Sequence, residues 1–200
     1  MKNYEYIIAG LPLLSPGGTR SDAPDADEIV AEIRSQCSKK DNALIDFLLE
    51  GYQDTLGRDY YLKALSHSDR FIREYFAFDL ALRNAKVRYI NRALGRDPMQ
   101  DVVLMDLGED AELPEPDPEM DAVFEADDLI RREKQIDDFV WEKVDTLTLK
   151  ELFTMDRILA FIVKLRIVDR WLKLDEQTGR ERFRKLVDEI RGTFQGVEFE

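Results

Sequence analysis

The apolar residues of this chain recur mostly at helical spacing, and the densest run lies in residues 152–174. Ile158 to Val163 is an unbroken apolar stretch, and more apolar residues follow it at mixed spacings. At 3.6 residues per turn these positions cover more than one face, which is typical of a helix packed on several sides. The unbroken stretch is far shorter than the roughly 20 apolar residues that a bilayer span needs. The pattern therefore predicts the central helix of a helical domain.

Other stretches carry the start and stop signals of helices. Asp25 with Glu28 resembles a capping box, in which the two side chains satisfy the first free backbone N–H groups, and Ser38 with Asp41 is a similar start signal. Ser68 is predicted to cap a long helix that stops at Gly95, and the aromatic residues of that helix are expected in the core. The helices predicted besides the central one lie in residues 25–36, 38–52, 59–65, 68–94, 121–144 and 176–192.

The start of the chain shows a different pattern. Residues 4–9, YEYIIA, are aromatic and β-branched, which favours a short extended segment ending at Gly10 and Pro12. Together with the helices, this predicts a mainly α fold. We expect an antiparallel helical bundle of about six or seven helices with a short N-terminal extended segment.

The length of the chain suits one domain. Residues 1–200 are interpreted as a single helical domain. A short echo, AFxxxLR, begins at Ala77 and again at Ala160. It raises the alternative of two related helical units, 20–95 and 121–192, joined by an acidic, proline-rich loop in 96–120.

The net charge of −13 comes from one segment. Residues 97–130 contain 13 acidic side chains and no Lys or Arg, and the rest of the chain is neutral. Prolines 114, 116 and 118 alternate with acids there, which blocks helix and sheet and predicts an exposed loop. Nucleic-acid binding needs clustered positive charge, so we expect no nucleic acid among the partners.

Residues with catalytic or metal-binding chemistry are scarce. The single cysteine, Cys37, excludes an internal disulfide, and the single histidine, His67, lies in a helix-start sequence where a structural role is expected. Phosphate-loop, dinucleotide and nucleophile-elbow motifs are absent from the sequence. We therefore predict no catalytic residue, no cofactor and no metal. An unrecognised enzyme stays an alternative, which a pocket around His67 or a buried carboxylate pair would support.

Two long helices resemble a known family. Residues 73–98, REYFAFDLALRNAKVRYINRALGRDP, resemble the helical repeats of the C-type rotor subunit of V-type ATPases, whose eukaryotic counterpart is the d-type subunit. Residues 152–190 are similar to the closing helices of such a unit. With residues 2–14, these segments also look like a short bacterial family of unknown function whose genes accompany V-type ATPase genes. The residues that carry the first resemblance are Leu82, Arg83, Asn84, Gly95 and Arg96.

The resemblance implies a non-catalytic subunit of a proton- or sodium-translocating V-type ATPase. It would act as a helical adaptor between the central stalk and the membrane ring, with those subunits as its partners. The chain is shorter than the C-type rotor subunit, with room for about two repeat units instead of three. The sequence shows no secretion signal and no transmembrane segment, so we expect a cytoplasmic location, at the cytoplasmic face of the membrane when assembled.

The last third of the chain is locally basic and supplies candidate contacts for partners. The alternative is a solvated face with local ion pairs, such as Asp169 with Lys173. A second functional hypothesis is a free helical interaction module that binds a basic partner through its acidic loop. The candidate partner-contact residues are Lys164, Arg166, Arg170, Lys173, Arg180 and Arg184.

Overall fold

The structure, a computed structural model, describes residues 4–16, 25–53, 56–105, 118–125 and 128–173. The mainly α prediction is confirmed: these ranges contain eight helices and no strand. The helices are α1 (Tyr4–Gly10), α2 (Ala26–Gln36), α3 (Lys39–Glu50), α4 (Arg58–Leu65), α5 (Arg70–Ala93), α6 (Pro118–Val123), α7 (Leu129–Leu147) and α8 (Met155–Lys173). The helix predicted in 176–192 lies outside the described residues.

The N-terminal segment is a helix, so the prediction of an extended segment over residues 4–9 is wrong. Tyr4 and Ile7 are buried, and their spacing of three residues places them on one helical face. The Tyr4 hydroxyl donates to Asp41 Oδ1 at 2.7 Å, which ties α1 to the first turn of α3. Packing against α8 and the hydrogen bond to α3 therefore override the strand preference of the aromatic and β-branched residues.

Aspartate and serine side chains set the starts of the helices. The capping box predicted at Ser38 and Asp41 is confirmed, because each side chain accepts a hydrogen bond from the other residue's backbone N–H. The cap of α5 is Asp69, not Ser68 as predicted, and its carboxylate accepts from the Ile72 N–H at 3.1 Å. Ser68 lies one residue too early to reach that N–H group.

The main core is built around α8, as predicted for the central helix. Ile158, Leu159, Ile162 and Val163 are fully buried, and α1, α2, α3 and α7 all contact this helix. Phe71, Tyr75 and Phe76 of α5 lie in the same core, as expected. Because α1 to α5, α7 and α8 share this core, it spans both of the units proposed from the sequence echo.

A second, smaller core lies further along α5. Phe78, Leu82 and Ala85 of α5 pack there against Met120 of α6 and the buried Phe124. The single helix predicted over 121–144 is wrong, because α6 ends at Val123 and Asp128 begins a new helix by accepting from the Ile130 N–H. The predicted loop 96–120 is also too long, since its last three residues belong to α6.

The chain turns sharply after α5. Gly95 has φ +67°, the left-handed conformation that glycine adopts easily, so the predicted helix stop is confirmed. The Asn84 side-chain amide then holds the following segment by exchanging two hydrogen bonds with the backbone of Val103, at 2.9 and 3.0 Å. Asn91 holds the same segment by donating to the Gln100 carbonyl at 2.6 Å. Residues 106–117 of the predicted acidic loop lie outside the described residues.

Candidate functional site

The four described candidate contact residues all form ion pairs inside the chain. Lys164 contacts Asp145 at 2.5 Å, and Arg166 contacts Asp27 of α2 at 2.9 Å. Lys173 contacts Asp169 at 2.7 Å, the local pair anticipated from the sequence. Arg170 contacts two carboxylates of α7, as described below. Arg180 and Arg184 lie outside the described part of the chain.

Asp137 is the centre of this charged face. Its Oδ2 accepts from Arg170 Nη2 at 2.5 Å and from the indole N–H of Trp171, so one carboxylate joins α7 to the end of α8. Burial raises the pKa of the Asp137 carboxyl above its ordinary value, and Arg170 offsets that increase only in part. Arg170 also reaches Glu133 at 3.3 Å, and Glu133 lies 3.8 Å from Lys86 of α5.

Two buried tyrosines, Tyr61 and Tyr75, lie near Asp79 of α5 and are called the tyrosine group below. Asp79 Oδ2 accepts from the Tyr61 hydroxyl at 2.6 Å and from Arg83 Nε at 2.9 Å. Arg83 also donates to the Gly51 carbonyl at 3.4 Å. Burial raises the pKa of Tyr61 and that of Tyr75 well above the ordinary value of 10.0, so both phenols stay protonated at alkaline pH values where an exposed tyrosine ionises. The arrangement ties α4 and α5 together.

His67 has a structural position. Its Nδ1 accepts a hydrogen bond from the Asp69 N–H at 3.0 Å, and its ring lies against Phe47 with the centroids 5.1 Å apart. That hydrogen bond helps to shape the turn between α4 and α5, the structural role expected from the sequence. Within the described residues His67 forms no hydrogen bond to a serine, threonine or cysteine side chain, as a nucleophile–base pair would require.

Cys37 and the acidic residues give no sign of redox or metal chemistry in the described ranges. Cys37 is half-buried, and burial raises the pKa of its thiol, which disfavours the reactive thiolate. Among the described residues, no group of three or more His, Cys, Asp or Glu is arranged to hold a metal ion. No helix in those same ranges is long and apolar enough to cross a membrane.

An exposed apolar tip lies at the turn between α7 and α8. It consists of Leu149, Leu152 and Phe153, whose side chains are 77%, 71% and 52% exposed. The turn is closed by hydrogen bonds from Leu149 N–H to Thr146 O and from Glu151 N–H to Thr148 O, so these side chains project from an ordered loop. Three large apolar side chains over five residues form a patch of the kind that marks protein contacts.

Several residues that organise these sites gave no signal in the sequence. Asp137, Asp145 and Asp27 are the partners of the basic residues, and each lies far from its partner along the chain. A spacing of three or four residues along one helix, as in Asp169 and Lys173, was the only ion-pair signal that the sequence offered. Asn84 belonged to the quoted resemblance, but its hydrogen bonds to Val103 could not be inferred from the pattern.

Comparison with protein families matches residues 50–193 to the family described as "Protein of unknown function (DUF2764)". The match begins at the last residue of α3 and includes α4 to α8, which contain the tyrosine group, Asp137 and the apolar tip. Neither a curated protein nor a solved structure is significantly similar to the chain. Since the family match covers more than half of the 200 residues, the chain belongs to the DUF2764 family.

Proposed function

We propose that this protein is a non-catalytic subunit of a V-type ATPase that joins the central stalk to the membrane ring. The observation that carries the proposal is the resemblance of α5 and of α8 with its following residues to the helical repeats of the C-type rotor subunit. An adaptor in this position works at the cytoplasmic face of the membrane, through contacts with the stalk and ring subunits.

The packing of α5 is consistent with a part that transmits force. This helix has 24 residues, so it is about 36 Å long, and it contributes side chains to both cores. Its ends are fixed by hydrogen bonds to other elements. Arg70 donates to Asp156 of α8 at 2.8 Å, and Asn91 holds the segment after the helix. A helix fixed at both ends resists bending better than one packed along part of its length.

The apolar tip supplies a contact surface for this adaptor. The basic residues of α8 are compensated inside the chain, so they offer a partner less net charge than the sequence indicated. Leu152 and Phe153, in contrast, expose most of their apolar surface. Burial of such side chains in a partner contributes about 1.5–3 kcal/mol each, and aromatic side chains are enriched at the centres of interfaces.

The test is affinity purification of the tagged protein from its native membranes, with quantification of the co-purifying subunits. Stalk and ring subunits are expected in amounts comparable to the tagged chain. The variant Leu152→Ser/Phe153→Ser should lose them, whereas Leu104→Ser/Leu129→Ser, which changes equally exposed residues elsewhere, should retain them. Recovery of the wild-type chain alone, together with unchanged ATP-driven pumping after gene deletion, would reject the proposal.

A second candidate function is a free interaction module that binds a basic partner through its acidic segment. The observation that favours it is the location of 13 acidic residues and no basic one in residues 97–130. Replacing the acids of residues 106–117 with Ser or Gln should then abolish partner binding. For the adaptor, the same change should leave co-purification with the stalk and ring intact.

A further inference from the structure

A crevice lies between the segment that follows α1 and the helices α7 and α8. Its volume is about 270 Å³, just below the roughly 300–1,000 Å³ that is typical of sites for small molecules. Leu11 and Leu14 line it from the segment, Trp141 from α7 and Phe161 from α8. These four side chains are half-buried, so each keeps apolar surface that is open to an occupant. The crevice therefore suits a small apolar molecule.

One face of α8 runs along the crevice. Arg157, Ala160, Phe161 and Lys164 follow the i, i+3, i+4, i+7 spacing of a single helical face, and all four line the crevice. The rise of about 1.5 Å per residue places the backbone of Arg157 and that of Lys164 about 10 Å apart. The crevice therefore has an apolar centre with a basic side chain towards each end.

The charges of these two basic side chains are compensated differently. Lys164 contacts Asp145 at 2.5 Å, and three other basic residues of α8 also have carboxylate partners, as described above. Arg157 is the exception on this helix, because within the described residues it forms no ion pair. The neighbouring Asp156 is paired with Arg70 at 2.8 Å instead. Arg157 therefore gives its end of the crevice a net positive charge.

A buried hydroxyl positions the Arg157 guanidinium. Arg157 Nη1 donates to Thr148 Oγ1 at 3.4 Å, and this hydroxyl, which is buried, donates to the Val144 carbonyl at 2.9 Å. The other N–H groups of Arg157 have no acceptor among the residues that the structure describes. A guanidinium with free N–H groups in its planar fork binds a carboxylate through two parallel hydrogen bonds. Because one N–H is already held, less side-chain freedom is lost when such a ligand binds.

We propose that this crevice binds a small apolar carboxylic acid of the medium-chain fatty acid class. The carboxylate lies on Arg157, and the apolar chain covers Phe161 and the exposed parts of Leu11 and Leu14. An extended chain advances about 1.2 Å per bond, so an acid of eight carbons reaches about 10 Å, which matches the distance along α8 from Arg157 to Lys164. This site is independent of the adaptor function proposed above.

Isothermal titration calorimetry of the full-length chain with octanoate tests the class of ligand. A ligand of this size should bind with a Kd of about 0.1–1 mM. Acetate keeps the carboxylate but lacks the chain, and octanol keeps the chain but lacks the charge, so each should bind at least about tenfold more weakly than octanoate. Absence of octanoate binding, or equal affinities for octanol and octanoate, would overturn the proposal.

Variants test where the ligand binds. Arg157→Gln should weaken octanoate binding at least about tenfold, because hydrogen bonds to a charged group are lost. The matched control is Arg131→Gln on α7, which removes another exposed arginine that forms no ion pair within the described ranges, and it should bind octanoate like wild type. Circular dichroism establishes that each variant is folded.

Tryptophan fluorescence gives a second readout of the position. The chain has two tryptophans, so in Trp171→Phe the emission comes from Trp141 alone, which lines the crevice. Octanoate should change that emission with the same Kd that calorimetry gives, and the added Arg157→Gln substitution should shift the titration to higher concentrations. Unchanged Trp141 emission, or octanoate binding that is equal in Arg157→Gln and wild type, would place the ligand elsewhere and overturn the proposal.

Discussion

Replacing Asp137 tests whether its carboxylate holds α8 against α7. Asp137→Ala removes the acceptor of two hydrogen bonds, one from Arg170 and one from the Trp171 indole. The change leaves the Trp171 N–H without its acceptor in a partly buried position. The matched control is Asp138→Ala, which removes an exposed carboxylate from the neighbouring position of the same helix.

The magnitude follows from the two lost hydrogen bonds. A hydrogen bond to a charged group contributes about 1.5–3 kcal/mol to the free energy of unfolding. The Arg170 side chain is 43% exposed and keeps Glu133 as a partner, so water and that carboxylate replace much of its share. We therefore expect Asp137→Ala to cost about 2 kcal/mol, or about 4–8 °C in Tm, and Asp138→Ala to stay within about 0.5 kcal/mol of wild type.

Asp137→Asn separates the hydrogen bonds from the charge. The amide keeps an oxygen for Trp171 and removes the cost of burying a negative charge, so this variant should stay within about 1 kcal/mol of wild type at pH 7. A raised pKa means that the folded state binds the proton more tightly than the unfolded state. The contribution of Asp137 to stability therefore falls as pH rises from the ordinary value of 3.8 through the raised pKa.

The assay is urea unfolding followed by circular dichroism at 222 nm, between pH 3.5 and pH 8. The difference in stability between wild type and Asp137→Asn should change over the acidic part of this range and be constant above it. The reasoning is refuted if Asp137→Ala unfolds like Asp138→Ala. It is equally refuted if Asp137→Asn is as damaging as Asp137→Ala at pH 7, because the charge would then stabilise the fold.

Three further predictions concern other parts of the fold. Gly51→Ala should cost about 1–3 kcal/mol in urea unfolding, because the added Cβ would lie 2.5 Å from the Phe76 ring, whereas Gly57→Ala meets no atom within 4 Å and should be tolerated. Asn84→Ala should cost about 1–3 kcal/mol and expose the Val103 amide to hydrogen exchange, because both of its backbone hydrogen bonds are lost. The buried tyrosines Tyr60, Tyr61 and Tyr75 should still be protonated at pH 11, as measured by absorbance at 295 nm. The free energy of unfolding should fall above pH 10, because these tyrosines ionise there only in the unfolded chain.

Helical periodicity and end signals were sufficient to predict most of the fold. The capping box at Ser38, the stop at Gly95 and the central position of α8 each depend on residues close together in sequence. The first helix was missed because residues 4–9 favour strands locally, and only contacts with distant helices make them helical. The break after Val123 was missed because Phe124, which turns into the second core, fits a helical pattern equally well.

The charged face was harder to predict because its pairs connect distant parts of the chain. The sequence shows that α8 is rich in basic residues, but it gives no information about which of their charges are paired with carboxylates in the fold. Asp27 lies 139 positions before Arg166, and only the packing of α2 on α8 brings the two side chains to 2.9 Å. The net charge that α8 presents to a partner therefore depends on the three-dimensional arrangement of the helices.

The presence of two cores of unequal size along α5 has a consequence for how the native protein opens. Among the residues that the structure describes, the smaller core contains five buried residues, and the larger core contains more than five times as many. Because opening the smaller core exposes little apolar surface, α6 and the adjoining part of α7 should separate from α5 at a lower free energy than global unfolding requires. Native-state hydrogen exchange would then show two cooperative units within one helix. Amides near Phe71 should exchange only through global unfolding, and those near Ala85 should exchange through the smaller opening.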